Sequence, residues 1–267
     1  MILRRIATLA ALLILFPFAA SAETGLSVLS FNMRSARGDD ERRPDFEMRH
    51  LEAVVDLIRE ADADVVLLQE IDRGVARSQR VDQFDYLVEN TGMEGRFART
   101  VDYQGGAFGI AVLTNLPVAE YRHVVLPQLG GKEPRALQYL RVEAGARFMV
   151  NLFNTHIDPR LVSRDQQIEM VLHQTAELAT GHAILAGDLN ATPSSAIIGT
   201  VGRSWRDAAE LTTPDAAPPT YPSRAPEYRV DYLFFRGEGL TLRSLAYPAH
   251  RGASDHLPLL ARFALAR

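Results

Sequence analysis

Short runs of apolar residues, each ended abruptly by polar residues, recur along the chain and predict buried β-strands. The predicted strands are Leu26–Phe31, Val65–Leu68, Phe108–Thr114, Leu137–Val142, Phe148–Asn154, Ala183–Ala186, Val230–Phe235, Leu240–Ala246 and Leu259–Ala264. Apolar residues at helical spacing predict one helix over Phe46–Glu60 and another from about Arg164 to Ala179, with Ser163 as its N-cap. Because strands outnumber helices and several are joined by short polar turns, the pattern favours a mixed α+β or layered α/β sandwich.

The N-terminal residues 1–22 have the three-part pattern of a secretory signal peptide. A basic start (Met1–Arg5) precedes an apolar run (Ile6–Phe16), and Ala20-Ser21-Ala22 is a small-x-small cleavage site. The apolar stretch is shorter than the about 20 residues that a membrane-spanning helix needs. We therefore expect export to the periplasm or the medium, with Glu23 as the new N-terminus.

The remainder of the chain, residues 23–267, is predicted to form one domain, because no repeat or low-complexity tract divides it. Its longest irregular stretch is the Pro-rich segment from Thr212 to Pro226, which predicts a surface loop.

Composition narrows the classes of protein that fit. The 267 residues include no cysteine, which excludes disulfide scaffolds, thiolate metal sites and cysteine nucleophiles. The net charge is −4, and it would become −6 once residues 1–22, with Arg4 and Arg5 and no acid, are removed. Lys132 is the single lysine of the chain. An acidic chain lacks the basic surface expected of a protein that binds nucleic acid strongly.

Polar residues follow the predicted strands where these end. Strand ends that share one edge of a sheet bring distant residues into one cleft. The residues gathered in this way are Asn32, Glu70, His156, Asp188, Asn190, Asp231, Asp255 and His256. Carboxylate and amide oxygens favour a hard cation such as Mg²⁺ or Mn²⁺, and two histidines can bind phosphate oxygens and transfer protons. This inventory suits phosphoester hydrolysis.

Each of these residues also has an interpretation without catalysis. Asn32 suits a turn after a strand, Glu70 a solvated acid, and Gly187-Asp188-Leu189-Asn190 a tight Asx turn. Asp255-His256 suits a structural ion pair. Another polar group, which alone predicts a solvated loop, comprises Arg77, Ser78, Asp82 and Gln83. Only the combination of the strand-end residues, in their order, favours a catalytic site.

That ordered combination resembles the endonuclease/exonuclease/phosphatase superfamily, which has the deoxyribonuclease I-like fold. The matching segments are Ser30-Phe31-Asn32, Leu68-Gln69-Glu70, Asn154-Thr155-His156, Gly187-Asp188-Leu189-Asn190, Val230-Asp231-Tyr232 and Ser254-Asp255-His256. The resemblance implies an α/β (α+β) fold, a four-layer α/β/β/α sandwich with two packed mixed β-sheets and an active site at their shared edge.

The resemblance also implies roles for the residues that match. Glu70 is expected to be the principal ligand of one or two Mg²⁺ or Mn²⁺ ions, with Asn32 in support and Asp255 either bound to the ion or just outside its ligands. Asp188 and Asn190 would position or activate the attacking water and bind the phosphate. His256, oriented by Asp231, would be the second acid–base group, and His156 would contact the scissile phosphate or help the leaving group.

The sequence thus predicts an exported, divalent-metal-dependent phosphoesterase, monomeric and without a stable membrane span. A phosphodiester or phosphomonoester in a lipid headgroup or sugar phosphate is favoured as substrate. A secreted nuclease acting on DNA or RNA is a less favoured alternative, because the chain is short and acidic. An alternative of another class is an inactive binding protein that kept the fold.

Overall fold

The computed structural model describes residues 25–40, 42, 45–128, 134–145, 148–213 and 217–266. The predicted signal peptide, residues 1–22, lies outside the described residues. Within the described residues, two six-stranded β-sheets pack face to face, as the sequence predicts. No helix in this part of the chain is long and apolar enough to cross a membrane.

The first sheet contains both chain directions, because β1 runs parallel to β2 and antiparallel to β12. Its strands, in spatial order, are β11 (Leu240–Ala246), β12 (Leu259–Leu265), β1 (Gly25–Asn32), β2 (Val65–Arg73), β4 (Gly106–Thr114) and β3 (Glu94–Tyr103).

The second sheet has a similar plan, with β7 and β8 as its parallel pair. Its strands, in spatial order, are β5 (Val118–Val125), β6 (Ala136–Glu143), β7 (Met149–His156), β8 (Ala183–Asp188), β10 (Asp231–Arg236) and β9 (Arg206–Asp207). The α-helices of the described residues are α1 (Met48–Ala61), α2 (Gln83–Thr91), α3 (Leu161–Leu178), α4 (Ala196–Gly202) and α5 (Ala208–Thr212).

Alternation along the strands produces the four layers. In β1, Leu26 and Val28 join the core between the two sheets, whereas Leu29 and Phe31 face outward and pack with α1. In β8, Leu185 likewise faces outward and packs with α3 and α4. Successive side chains of a strand point to opposite faces, and complete burial of one large aliphatic side chain contributes about 1.5–3 kcal/mol. The predicted α/β/β/α sandwich is therefore confirmed.

Several elements differ from the sequence predictions. The helix α3 begins at Leu161 with Arg160 at its N-cap, so the prediction that Ser163 is the N-cap is wrong; Ser163 is buried inside the first turn. The sequence pattern also missed α2, α4, α5, β3, β5 and the two-residue β9. All three missed strands lie at sheet edges, and β3 and β5 have many partly or fully exposed residues, so their apolar pattern is weak.

The Pro-rich segment from Thr212 to Pro226 does not lie wholly on the surface. Among its described residues, Thr220 is fully buried, and the Tyr221 ring lies 4.8 Å from the His256 ring, measured between centroids. The segment therefore contributes to the region of the predicted site, which its loop-like composition did not indicate.

Candidate active site

The eight predicted site residues meet at one edge of the sandwich, where strands of both sheets end. A cleft of about 420 Å³ opens there. Six of the predicted residues line it, namely Glu70, His156, Asp188, Asn190, Asp255 and His256. The other two, Asn32 and Asp231, are buried and hydrogen-bonded to the lining residues. The cleft wall also includes residues that the sequence analysis did not assign to a site, namely Arg34, Arg37, Arg135, Pro159, Thr192, Tyr221, Tyr228 and Val230.

The second sheet places three of these residues in one row. Asp188, the last residue of β8, has His156 of β7 as its register partner on one side and Asp231 of β10 on the other. Gly187 permits this arrangement, because a Cβ on it would lie 1.9 Å from the carbonyl oxygen of Thr155, and its φ is +141°. The neighbouring strand therefore requires glycine directly before Asp188.

Asn32 connects the two sheets beneath the cleft. Its Nδ2 donates to Asp188 Oδ2 at 3.0 Å and to Glu70 Oε1 at 3.3 Å. Its Oδ1 accepts the backbone N–H of Arg34 at 3.1 Å. Because a backbone N–H can only donate, this contact fixes the orientation of the amide. The amide therefore steadies the Glu70 and Asp188 carboxylates, and the suggestion that Asn32 is itself a metal ligand stays a prediction.

Glu70 enters the cleft from a bulge in β2. The pairing of β2 with β4 shifts between Leu68 and Ile71, and Glu70 there has a φ of +57°. A left-handed conformation is costly for a non-glycine residue, of order 1–3 kcal/mol, and persists where surrounding contacts hold it. One such contact is the Ser35 hydroxyl, which donates to the carbonyl oxygen of Glu70 at 3.2 Å.

Ser35 belongs to a second left-handed segment, Arg34–Ala36, whose three φ angles are +49°, +52° and +54°. Gln83 holds this left-handed turn by donating from Nε2 to the carbonyl oxygen of Ser35 at 2.6 Å. Arg77 donates to the Ser35 hydroxyl at 3.1 Å and forms two bonds of 2.8 Å with the buried Asp72. The sequence prediction of a solvated loop is thus wrong for Arg77, Ser78 and Gln83: Ser78 and Gln83 are buried, and Arg77 and Gln83 support the turn.

Asp231 and His256 form a buried pair. His256 Nδ1 lies 2.9 Å from Asp231 Oδ2, and the Thr220 hydroxyl donates to the same oxygen at 2.6 Å. Burial alone would lower the pKa of His256, but the Asp231 charge and hydrogen bond, together with Asp188 and Asp255, raise this pKa to about 10. The imidazole is therefore positively charged at neutral pH, with Nε2 directed toward Asp188 Oδ2 at 3.8 Å.

Asp188 is almost fully buried, and its oxygens accept bonds from Asn32 and from the backbone N–H of Asn190 at 2.9 Å. Burial and then the Asp231 charge raise the pKa of Asp188 to about 7, despite the opposing effect of His256. A carboxylate with a pKa near neutrality is suited to accept a proton from water in this range of pH.

His156 has a different environment from that of His256. An Nη1 of Arg135 lies 2.8 Å from His156 Nδ1, and both residues are buried. Burial, the Arg135 charge and then the His256 charge lower the pKa of His156 well below its usual value. Because a guanidinium can only donate, Nδ1 accepts, and the neutral ring carries its proton on Nε2. That nitrogen lies at the cleft, 3.4 Å from Asp188 Oδ2, which can accept its proton. Asn190 Nδ2 lies 3.3 Å from it but donates instead to the carbonyl oxygen of Ile157.

Two further arginines border the cleft at the left-handed turn. Arg34 Nε lies 2.9 Å from Asp255 Oδ2. Arg37 donates from Nε to the carbonyl oxygen of Arg34 at 3.3 Å, and it forms no ion pair with a carboxylate of the described residues. Burial and the neighbouring charges of Arg77 and Arg34 lower the pKa of Arg37.

Buried side-chain amides join the sheets below the row formed by His156, Asp188 and Asp231. Gln69 Nε2 donates to Asn154 Oδ1 at 2.7 Å, and Asn154 Nδ2 donates to the carbonyl oxygen of Leu68 at 3.1 Å and to Gln138 Oε1 at 3.0 Å. Gln69 and Asn154 belong to the segments that carried the family resemblance, yet they contact other protein groups and do not line the cleft. Their bonds set the relative position of β2 and β7 at the site.

The described residues offer a hard cation two groups of donors. Glu70 and Asp255 both line the cleft with carboxylate oxygens. Asp188, Asp231 and His256 form a second group, whose ligand atoms lie within 4.8 Å of one another. The 2.9 Å separation of His256 Nδ1 from Asp231 Oδ2 is a hydrogen-bond distance, so a proton occupies that position. An ion in the second group could therefore not be bound through His256 Nδ1.

Comparisons with known proteins find similar sequences and similar structures. The Escherichia coli strain K12 protein YbhP is 25% identical over 233 residues, which cover 79% of this chain and 87% of YbhP. A structure of an endonuclease/exonuclease/phosphatase from Beutenbergia cavernae superimposes with a TM-score of 0.74 at 21% identity, over 91% of this chain and 72% of that one. A mannosyl-6-phosphatase from Bacteroides thetaiotaomicron superimposes with a TM-score of 0.72 at 19% identity, over 90% of this chain and 100% of that one.

The family comparison covers the whole of the cleft. The sequence profile of the Endonuclease/Exonuclease/phosphatase family matches residues 29–256, which include each of the eight predicted site residues. The chain therefore belongs to the Endonuclease/Exonuclease/phosphatase family, whose members are hydrolases that act on phosphoesters.

Proposed function

We propose that this protein is an exported, divalent-metal-dependent phosphoesterase that hydrolyses a phosphodiester or phosphomonoester in a small molecule or lipid headgroup. The observation that carries the proposal is that Asp188 and His256 face each other on one cleft, with 3.8 Å between Asp188 Oδ2 and His256 Nε2. Their surroundings raise the pKa of Asp188 to about 7 and that of His256, bonded to Asp231, to about 10. A carboxylate that titrates near neutrality beside a protonated imidazole can act as base and acid in one reaction.

In this proposal Asp188 accepts a proton from the attacking water, which Asn190 helps to position. The Asn190 amide is anchored by Nδ2, which donates to the carbonyl oxygen of Ile157 at 2.8 Å. His256 enters as an imidazolium, so it can neutralise charge on a phosphate oxygen or give its Nε2 proton to the leaving group. Asp231 holds the opposite nitrogen and stabilises the charged ring.

His156 acts as a fixed hydrogen-bond donor. Its neutral ring, with Nδ1 occupied by Arg135, offers the Nε2 proton to a phosphate oxygen. A donor that is already oriented before the reaction stabilises developing negative charge without reorganising. The sequence interpretation in which His156 helps the leaving group becomes less favoured, because its lowered pKa makes the protonated ring scarce at neutral pH.

Glu70 and Asp255 would hold the divalent ion. Mg²⁺ or Mn²⁺ bound there would polarise the phosphoryl group and offset its negative charge. Asn32 supports this assignment indirectly, because its amide holds the Glu70 carboxylate at the cleft.

The direct test is a substrate panel on purified residues 23–267. Phosphomonoesters, phospholipids, and single- and double-stranded DNA and RNA are each assayed with Mg²⁺, with Mn²⁺ and with chelator. We expect metal-dependent release of phosphate or alcohol from a small or lipid substrate. Hydrolysis restricted to nucleic acid would favour the nuclease alternative. The absence of turnover on every substrate, with a ligand still bound, would favour the inactive binding protein.

A further inference from the structure

The three arginines of the cleft, Arg34, Arg37 and Arg135, differ in how they are neutralised. Arg34 lies against Asp255, and Arg135 contacts His156, one of the residues proposed to bind phosphate. Arg37 also lines the cleft, but no carboxylate of the described residues pairs with it, and neither of its Nη groups bonds to another described residue. A half-buried guanidinium in this state retains both of its terminal donors for a ligand.

The left-handed turn Arg34–Ala36 explains why Arg37 lies there. Three successive non-glycine residues adopt positive φ, and Ser35 is held from three sides by Glu70, Arg77 and Gln83. Strained backbone that is held so firmly is characteristic of binding sites. The turn has Arg34 at its start and is followed directly by Arg37, so it brings two guanidinium groups to the cleft beside Glu70.

The charges of the cleft indicate which anion would fit. Arg34 is paired with Asp255, whereas Arg37 adds a positive charge with which no carboxylate of the described residues pairs. A divalent ion beside Glu70 would add further positive charge to this part of the cleft. A phosphomonoester carries about −1.5 to −2 at pH 7, whereas a phosphodiester has one ionised oxygen and carries a single negative charge.

We propose that Arg37, brought to the cleft by the left-handed turn Arg34–Ala36, binds terminal phosphate oxygens and selects a phosphomonoester dianion over a phosphodiester. The proposal rests on the proposed function and adds the class of substrate. A monoester offers three terminal oxygens, so two can engage the planar guanidinium fork while the third faces the metal side of the cleft. In a diester, a second alkoxy group replaces one of these oxygens and leaves the fork incompletely bonded.

The test compares p-nitrophenyl phosphate with bis(p-nitrophenyl) phosphate, in Mg²⁺ and in Mn²⁺, for wild type, Arg37→Met and Arg37→Lys. We expect Arg37→Met to lower kcat/KM for the monoester about 10- to 100-fold, the range for hydrogen bonds to charged groups, and to lower it less for the diester. The ratio of the two kcat/KM values should therefore fall. Arg37→Lys keeps the charge without the fork, so an intermediate ratio is expected. The matched control is Arg203→Met, at an exposed arginine at the end of α4, which should keep the wild-type ratio.

Binding of inorganic phosphate supplies a readout separate from turnover. Its inhibition constant against the monoester should rise about tenfold in Arg37→Met, since one charge-assisted contact is lost. Equal losses on both substrates, or an unchanged inhibition constant, would overturn the role of Arg37. If thermal melts show that Arg37→Met does not fold, a wild-type ratio in Arg37→Lys would overturn it instead. Wild type inactive on both substrates with either metal would contradict the proposed function itself, which is a different result from an unchanged ratio.

Discussion

Asn32 of the first sheet donates its side-chain N–H to Asp188 of the second sheet across 3.0 Å. The same nitrogen contacts Glu70 at 3.3 Å, so one amide joins the proposed metal ligand to the proposed base. Because an amide donor favours the ionised form of a carboxylate, Asn32 opposes the burial that raises the pKa of Asp188. The contact therefore links the packing of the two sheets to the pH at which the site can act.

The first prediction concerns this amide. Asn32→Asp would place a carboxylate oxygen beside both Glu70 and Asp188, and the added negative charge should raise the pKa of Asp188 further. Because Asp188 must be ionised to accept a proton, the acidic limb of the kcat–pH profile should move to higher pH. Asn32→Ala, which removes the donor without adding charge, should move it less. If the acidic limb of Asn32→Asp stayed at the wild-type pH, this residue would have no influence on the pKa of Asp188.

The residues at strand ends could be predicted from the sequence because alternation fixes where each strand stops, and the ends of strands share an edge. Asn32, Asp188 and Asp231 were found in this way. Arg135 could not be found, since it precedes β6 in a polar stretch and only the folded β-sheet brings it to His156. Thr220 could not be predicted either, because the composition of a Pro-rich segment does not indicate that one of its hydroxyls is buried against Asp231.

The fold, like the site, has parts that the sequence predicts and parts that it does not. The strands that line the interior of the sandwich carry long apolar runs, and the sequence located them within a few residues. The backbone of Glu70 and of the left-handed turn Arg34–Ala36 could not be predicted, because none of these residues is glycine. Their conformation depends on Gln83 and Arg77, which bond to the turn from another part of the chain. Non-local hydrogen bonds outweigh local preference there.

The second prediction concerns the pair formed by Asp231 and His256. His256→Ala should cost at least roughly 10²-fold in kcat, the usual scale for general acid–base help. Asp231→Asn should lower the pKa of His256, so the alkaline limb of the profile should move to lower pH. In the double variant the loss should be little more than in His256→Ala, because the group that Asp231 orients is already gone. Additive losses in kcat would show that the two residues act independently.

The third prediction concerns the thermal stability of the metal-free protein, measured in chelator. The pKa of Asp188 is about 7, above its ordinary value of 3.8, so the protonated form is favoured by folding. The contribution of Asp188 protonation to the free energy of unfolding is complete below about pH 4 and is lost as pH rises through 7. Asp188→Asn removes this titration, so at pH 8 its melting temperature should exceed that of wild type by at least about 2 °C, which is the shift from 1 kcal/mol in a domain of this size. Turnover should be abolished in the same variant.

At pH 4 the same two proteins provide the control, because Asp188 is then almost wholly protonated in the folded chain and no longer buries a charge. The difference in melting temperature between wild type and Asp188→Asn should become smaller there. A variant that is less stable than wild type at pH 8 would contradict a raised pKa for Asp188.

The fourth prediction concerns Glu70. Glu70→Gln keeps the shape of the side chain and the acceptor for Asn32, but it removes the charge that would hold a divalent ion. Mn²⁺ binding, measured by calorimetry, should weaken at least about tenfold, and kcat should fall by orders of magnitude. Glu60→Gln, on the exposed face of α1, is a matched control and should leave both quantities unchanged. Full activity of Glu70→Gln, or of wild type in chelator, would exclude Glu70 as the principal ligand.

The last prediction concerns the contact of 2.8 Å between Arg135 and His156. Arginine remains protonated at all accessible pH values, so it can only donate, and the ring proton must reside on Nε2. In ¹⁵N NMR spectra, His156 should therefore remain the neutral Nε2–H tautomer from pH 6 to 8.

Arg135→Met removes both the donor and the positive charge that helps to lower the pKa of His156. The His156 signal should then titrate at higher pH than in wild type, and kcat should fall at least about tenfold, because the orientation of the phosphate donor is lost. Arg135→Lys preserves the charge, so it should retain the low pKa while recovering part of the activity. A wild-type spectrum with the proton on Nδ1, or an imidazolium at pH 7, would contradict the assigned tautomer and with it the role of Arg135 as a positioning residue.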